Sequence, residues 1–282
     1  MTQHSAVILL FVCAFFACTG ETRKGKIVFQ SNRDGNFEIY SMNDDGTNLI
    51  RLTNSISYDV SPSWSPDGSH ILFASDRDDN WEIYTMRSNA EDVRRLTSRP
   101  GSNTAPSWAR EGTKILFVST RDAINGELYL MNPDGTNIER LTRDSTVKDT
   151  PVMTPDGASV VFAMDNRNAS VLAVLSLSDG SISGLTSFSL NAMSPRVSPE
   201  GSLILFAGTR DGHISIFTMT RTGENVQRLT QMSDDCRTPV WKGSEREIVY
   251  SKNGGLYLLS LETQKEVKLT GRGDSSPHWV GE

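Results

Sequence analysis

Few side chains in this sequence have the type and spacing that catalysis or metal binding would need. Beyond an apolar leader, the only histidines are His70, His213 and His278, and each falls at a different position of the repeat described below. A zinc site needs several His, Cys or carboxylate ligands converging on one point, and a Ser-His-Asp relay needs a base held beside its nucleophile. The spacing suggests neither arrangement, and no Gly-x-Ser-x-Gly elbow is present. Cys236 has no histidine near it in sequence to lower its pKa, so it reads as a semi-buried structural thiol rather than a nucleophile. Its two fellow cysteines, Cys13 and Cys18, belong to the leader, which leaves no disulfide framework. Scattered polar residues can still form a site without a motif, which keeps an enzyme reading open.

Regularity is the stronger signal. Leu-Thr recurs at Leu52-Thr53, Leu96-Thr97, Leu141-Thr142, Leu185-Thr186, Leu229-Thr230 and Leu269-Thr270, in steps of 44, 45, 44, 44 and 40 residues. Each step repeats a Pro-centred segment such as Ser61-Pro-Ser-Trp64, an Asp-Gly turn, an apolar run such as Ile71-Leu-Phe73, an Arg-Asp loop, an Ile-Tyr run and Arg-Leu-Thr. The apolar runs are short, rich in Ile, Val, Phe, Tyr and Leu, and bounded by Gly, Pro, Asn and Asp, as strands joined by tight turns are. In Lys26-Ile-Val-Phe29, Lys114-Ile-Leu-Phe117 and Leu203-Ile-Leu-Phe206, consecutive residues on opposite sheet faces are both apolar, so each strand lies between two neighbouring sheets. Four strands in a period of this length match a β-propeller blade, and one blade cannot bury its own faces.

Pro-x-Trp-like segments at Pro62, Pro106, Pro151, Pro195, Pro239 and Pro277 give six blades. The first strand, Lys26 to Ser31, has no such segment before it, while Ser276-Pro-His-Trp279 stands unattached at the C-terminus. The expected fold is therefore an all-β, six-bladed propeller over residues 26–282, in which the C-terminal strand completes the first blade and leaves no open edge.

The formal charge of −6 with no basic stripe argues against nucleic acid as partner. Residues Ala6 to Ala17 form an apolar stretch of secretory length, too short to span a bilayer, so residues 1–18 read as a signal peptide followed by a linker over 19–25. Phe16-Ala17-Cys18-Thr19 resembles a bacterial lipobox, with Phe15 where Leu is usual and no Lys or Arg in the n-region. Export to the periplasm, or to the outer membrane as a lipoprotein anchored through Cys18, is the expectation, with ordinary cleavage as the alternative.

Repeats reading Pro-Ser-Trp-Ser-Pro-Asp-Gly, Ile-Leu-Phe-Ala-Ser-Asp-Arg-Asp, Glu-Ile-Tyr-Thr-Met and Arg-Arg-Leu-Thr resemble the propeller repeats of the TolB family (PD40, WD40-like) over nearly all of residues 26–280. The Gly-His and Trp-Asp marks of WD-type repeats are missing. Unlike TolB, the sequence shows no α/β domain ahead of the propeller, so the inner-membrane link of that domain is not carried over. The resemblance implies a non-catalytic propeller that binds another protein, as TolB's propeller docks a peptidoglycan-associated lipoprotein. The alternatives are a carbohydrate-active or other hydrolase or lyase, and an ion- or small-ligand-binding module.

If the Pro-Ser-Trp strand is innermost, the loops before it and the Arg-Asp loops share one face, and the Asp-Gly turns share the other. Recognition tends to reside in variable loops on a rigid scaffold. The candidate partner-binding residues are therefore Tyr58, Asp59, Asn103, Thr104, Lys148, Asp149, Asn191, Asp234, Asp235 and Asp274. Several acids there are expected to converge near the axis, where a cationic group or a channel metal such as calcium would be favoured; no other cofactor is expected, and the chain is expected to be a monomer. The Arg-Asp loops read as scaffold, with turn residues at positive φ and Arg bracing a neighbouring blade. Trp64, Trp108, Trp241 and Trp279 occupy equivalent positions and read as blade packing.

Overall fold

In the computed structural model, which describes residues 25–98, 100–165, 169–231 and 234–281, six four-stranded antiparallel sheets form a closed ring. The expected signal peptide over 1–18, with Cys18, and residues 19–24 of the expected linker lie outside the described residues. Blade 2 shows the plan: Asp59–Trp64 innermost, then His70–Ser75, Glu82–Arg87 and the short outer strand Arg94–Arg95. Blades 3 to 6 repeat it from inner strands Asn103–Ala109, Val147–Met153, Met193–Val197 and Cys236–Lys242. Blade 1 takes its inner strand from the other end of the chain. Asp274–Gly281 pairs antiparallel with Gly25–Ser31, bringing Trp279 opposite Ile27 and His278 opposite Val28. Two single 3-10 turns, Arg110–Gly112 and Phe188–Leu190, are the only helical segments among the described residues. No helix there is long and apolar enough to cross a membrane.

The core is a set of six layers, one between each pair of neighbouring blades. Val28 and Ile39 of blade 1 pack with Phe73 and Tyr84 of blade 2, while Leu72 and Ala74 on the reverse face pack with Phe117 and Tyr129 of blade 3. The last layer joins Val249 and Leu256 of blade 6 to Phe29 and Tyr40 of blade 1. Ile27, Val28 and Phe29 are all fully buried although they alternate between faces, as an apolar run sandwiched by sheets requires.

The Leu-Thr signature has a single cause in all six blades. Its leucine N–H continues the outer-strand pairing, as from Leu52 to the carbonyl of Ile39 at 2.8 Å. The threonine hydroxyl then accepts the N–H of that same third-strand residue. Ile39 to Thr53, Ile83 to Thr97, Leu128 to Thr142, Leu172 to Thr186, Ile216 to Thr230 and Leu256 to Thr270 all measure 2.9–3.0 Å. A donor that the two- or three-residue outer strand is too short to reach is thereby satisfied.

Ring closure has a direct test. Deleting residues 274–281 removes the inner strand of blade 1 and exposes the edge of Gly25–Ser31, so the shortened protein is expected to lose its single cooperative calorimetric transition and to self-associate on size exclusion. A monomer with an unchanged melting curve would contradict closure by this strand.

Candidate functional site: the loop face and the channel

Six inner strands converge on one axis, and each reaches it with the same local device. Ser61, Ala105, Thr150, Ser194, Thr238 and Ser276, each just before a proline, have φ between 45° and 53°. The inner strand of every blade also slips register at this point, as between Val60 and Ser63 or between Thr104 and Ser107. Positive φ is uncommon outside glycine and costs most for the branched Thr150 and Thr238. A bulge re-aims the side chain it carries. All six residues line the central channel, where short side chains leave a cavity of ≈ 110 Å³.

The residue after each proline varies around the ring: Ser63, Ser107, Val152, Arg196, Val240 and His278. Arg196 and His278 therefore occupy equivalent positions in blades 5 and 1, and both border the channel cavity as well as a second cavity of ≈ 390 Å³ toward the Asp-Gly face. They form the waist between the two openings. Burial holds the His278 pKa down to about 3, helped by the charge of Arg196, so the imidazole is neutral at physiological pH. Its Nδ1 accepts the N–H of Trp64 at 3.2 Å, which leaves the proton on Nε2. Burial also lowers Arg196, to about 10, against the opposing pull of Asp149.

The predicted binding residues divide into scaffold and surface. Asp59 and Asp274 are buried and clamped in two-pronged ion pairs, Asp59 with Arg77 at 2.8–2.9 Å and Asp274 with Arg33 at 2.6–2.7 Å. Asn103 fills the same position in blade 3, accepting from Arg121 and donating to Glu82, both at 2.8 Å. Lys148 is buried between Glu127 at 3.1 Å and Asp144 at 2.8 Å. Asn191 accepts the N–H of Ser170, and Thr104 is half-buried beside its bulge. Asp234 pairs with Lys252 at 2.8 Å and Asp235 with Arg237 at 3.0 Å. Tyr58, Asp149 and Asp235 are exposed.

Two expectations are corrected by these placements. The acids do not converge at the axis: four of them face basic partners, only Asp149 feels the channel, and the waist holds a guanidinium. Among the described residues no group of three or more His, Cys, Asp or Glu side chains is placed to hold a metal ion. The Arg-Asp loops brace their own blade rather than the next, since Arg33, Arg77 and Arg121 reach back to the inner strand of the same sheet and stack on its Phe-Tyr pair. Contacts that cross between blades include those of Glu82 with Asn103, of Glu127 with Lys148, and of two indoles. Trp108 donates to the Ser63 carbonyl at 3.2 Å and Trp241 to that of Arg196 at 3.1 Å. Cys236 is fully buried, and burial raises its thiol to about 11, which makes it inert.

Sequence reasoning missed Ile56, Ile124 and Phe188, exposed on the loop face, and Arg196 at the waist. A signal for Arg196 existed: a repeat position held by Ser or Val in four blades carries Arg in blade 5 and His in blade 1.

A closed ring of six four-stranded sheets around a narrow channel defines a six-bladed β-propeller. The chain belongs to the TolB beta propeller domain family, whose model matches residues 21–91 and 77–245. It is similar to a "Protein TolB homolog" of Chlorobium chlorochromatii, 29% identical over 137 residues that make up 49% of this chain and 30% of that protein. The "Tol-Pal system protein TolB" of Bordetella pertussis is 27% identical over 77% of this chain and 59% of its own length. The chain thus spans only part of its curated relatives, between 11% and 59% of their length. In fold it resembles the crystal structure of TolB from Acinetobacter baumannii, with a TM-score of 0.79 at 22% identity over 92% of this chain and 67% of that one.

The division into scaffold and surface is testable by stability alone. Asp59→Ala leaves Arg77 facing a buried gap and is expected to cost about 3 kcal/mol in urea unfolding, while Tyr58→Ala stays within about 0.5 kcal/mol. Equal effects would remove the distinction.

Proposed function

We propose that this chain is a non-catalytic cell-envelope propeller that binds another protein through its loop-bearing face and channel mouth. The observation that carries this reading is the exposure of large apolar side chains on the loops of that one face: Ile56 at 100%, Ile124 at 91%, Phe188 at 49% and Tyr58 at 47%. The remaining exposed aliphatic residues lie mainly along the outer strands and their turns. Apolar anchors ringed by polar loops are what a protein interface uses for affinity, with charges such as Asp149 and Asp235 steering the approach. Family membership supports the same reading, because the Bordetella pertussis relative is described as a Tol-Pal system protein. The predicted leader supports export, with Cys18 as the lipid-bearing residue.

The peptidoglycan-associated lipoprotein of the same cell is the partner to test. Calorimetry is expected to show one-to-one binding that falls at least about tenfold in an Ile56→Asp, Phe188→Asp double variant whose melting curve is unchanged. Binding that ignores this change would move the interface elsewhere, and no binding would remove this partner. For the anchor, Cys18→Ala is expected to shift the protein from the membrane to the soluble fraction; an unaltered distribution would dispose of lipidation.

A further inference from the structure

Arg196 presents a problem of charge. Its Nη1 donates to the Pro195 carbonyl at 2.8 Å, and among the described residues no carboxylate lies within 4.0 Å of its guanidinium. Every other deeply placed basic side chain in the blades is matched to an acid or amide, as Arg33 is to Asp274, Arg77 to Asp59 and Lys148 to Glu127. Asp149 is the nearest acid in effect, yet it holds the N–H of Thr150 at 2.8 Å and its own pKa is raised by the surrounding protein. A guanidinium stripped of much of its water and left without a counter-ion is costly. The Thr150 hydroxyl, on the same cavity, is buried with no hydrogen-bond partner. Neutral His278 adds an N–H at Nε2. The waist therefore offers a charge and several donors, and beyond the Pro195 carbonyl that takes Arg196 Nη1 no acceptor among the described residues is matched to them.

We propose that the channel waist is an oxyanion site in which Arg196 binds a carboxylate or phosphate group, with Thr150 and the Nε2–H of His278 as further donors. Size agrees: a cavity of ≈ 110 Å³ is well above the roughly 10–15 Å³ of such space that a single water needs and has room for one such group. A guanidinium fork matches the two oxygens of either group. One source is a free ion; the other is the carboxylate of a chain end or acidic side chain that a docked partner inserts through the mouth. The second source rests on the protein-binding reading, whereas the site itself does not.

The test uses the intact propeller and small probes alone. Sodium acetate, sodium phosphate, and a tetrapeptide with a free C-terminal carboxylate alongside its C-terminal amide are titrated while the His278 ring proton is followed by NMR across pH. A bound anion offsets the Arg196 charge and stabilises imidazolium, so the His278 pKa is expected to rise on saturation. Arg196→Gln is expected to weaken binding about tenfold or more, as loss of a charged hydrogen-bonding partner does, and Asp149→Asn to tighten it by removing a competing carboxylate. Tighter binding of the acid peptide than of acetate, absent for the amide, assigns the site to a partner's chain; saturation by phosphate or acetate alone assigns it to a free ion. Should Arg196→Gln fail to fold, the wild-type titration decides by itself: a His278 resonance that does not move saturably with any probe overturns the site. Equal affinity in a folded Arg196→Gln overturns it as well.

Discussion

Everything in this molecule follows from sheets that are apolar on both faces. A strand such as Gly25–Ser31, with Ile27, Val28 and Phe29 all out of contact with water, is stable only when sheets cover it on either side. Any open stack would leave two such faces exposed at its ends, and bending the stack into a ring removes them. Closure then has to be made by the chain itself. The C-terminal strand crosses to blade 1, where Asp274 meets Arg33 at the rim and Trp279 lies against Gly25 below.

Polar bracing is laid over this apolar plan unevenly. In blades 1 to 3 a buried glutamate, Glu38, Glu82 or Glu127, accepts from the Leu-Thr threonine and from Arg51, Arg95 or Arg140. Blades 4 to 6 place Val171, Ser215 and Gly255 at that position, and the residues equivalent to Asn103 in the next blades are Ala192, Cys236 and Asp274. The glutamate clamp thus belongs to blades 1 to 3, while the seams around blades 4 to 6 carry other ion pairs, such as Arg221 with Asp156 and Lys242 with Asp44. Arg228 keeps its place in blade 5 without the glutamate, and its Nε and the Ser215 hydroxyl are both buried without partners. Repetition therefore marks scaffold, and the departures from it mark where the ring differs from a symmetric one.

The channel expresses the same rule at the axis. Six bulges at positive φ turn short side chains inward, which keeps the centre open and leaves the residue after each proline to set its chemistry. Serine and valine make that position neutral. Arginine in blade 5 and histidine in blade 1 make the waist a donor-rich point, while the loops above it carry the exposed Ile56, Ile124 and Phe188. A partner approaching the loop face meets apolar contacts at the rim and a cation at the centre.

The sequence by itself determined the blade number, the strand order and the closure, because each follows from a period, a turn signal or an unmatched segment that can be read along the chain. It also exposed the Leu-Thr signature, although not its reason, since the bond from the Ile39 N–H to the Thr53 hydroxyl joins residues 14 apart, one in the third strand and one just past the outer strand. The division of the entrance residues was decided only in three dimensions. Asp59 and Asp235 look alike as loop acids, yet one is locked against Arg77 inside the wall and the other lies exposed beside Arg237. Burial and pairing depend on which side chain arrives from another strand or blade, and a one-dimensional repeat carries no record of that. The meeting of Arg196 and His278, 82 positions apart, is of the same kind: ring geometry brought them to one waist, and only the closed ring could.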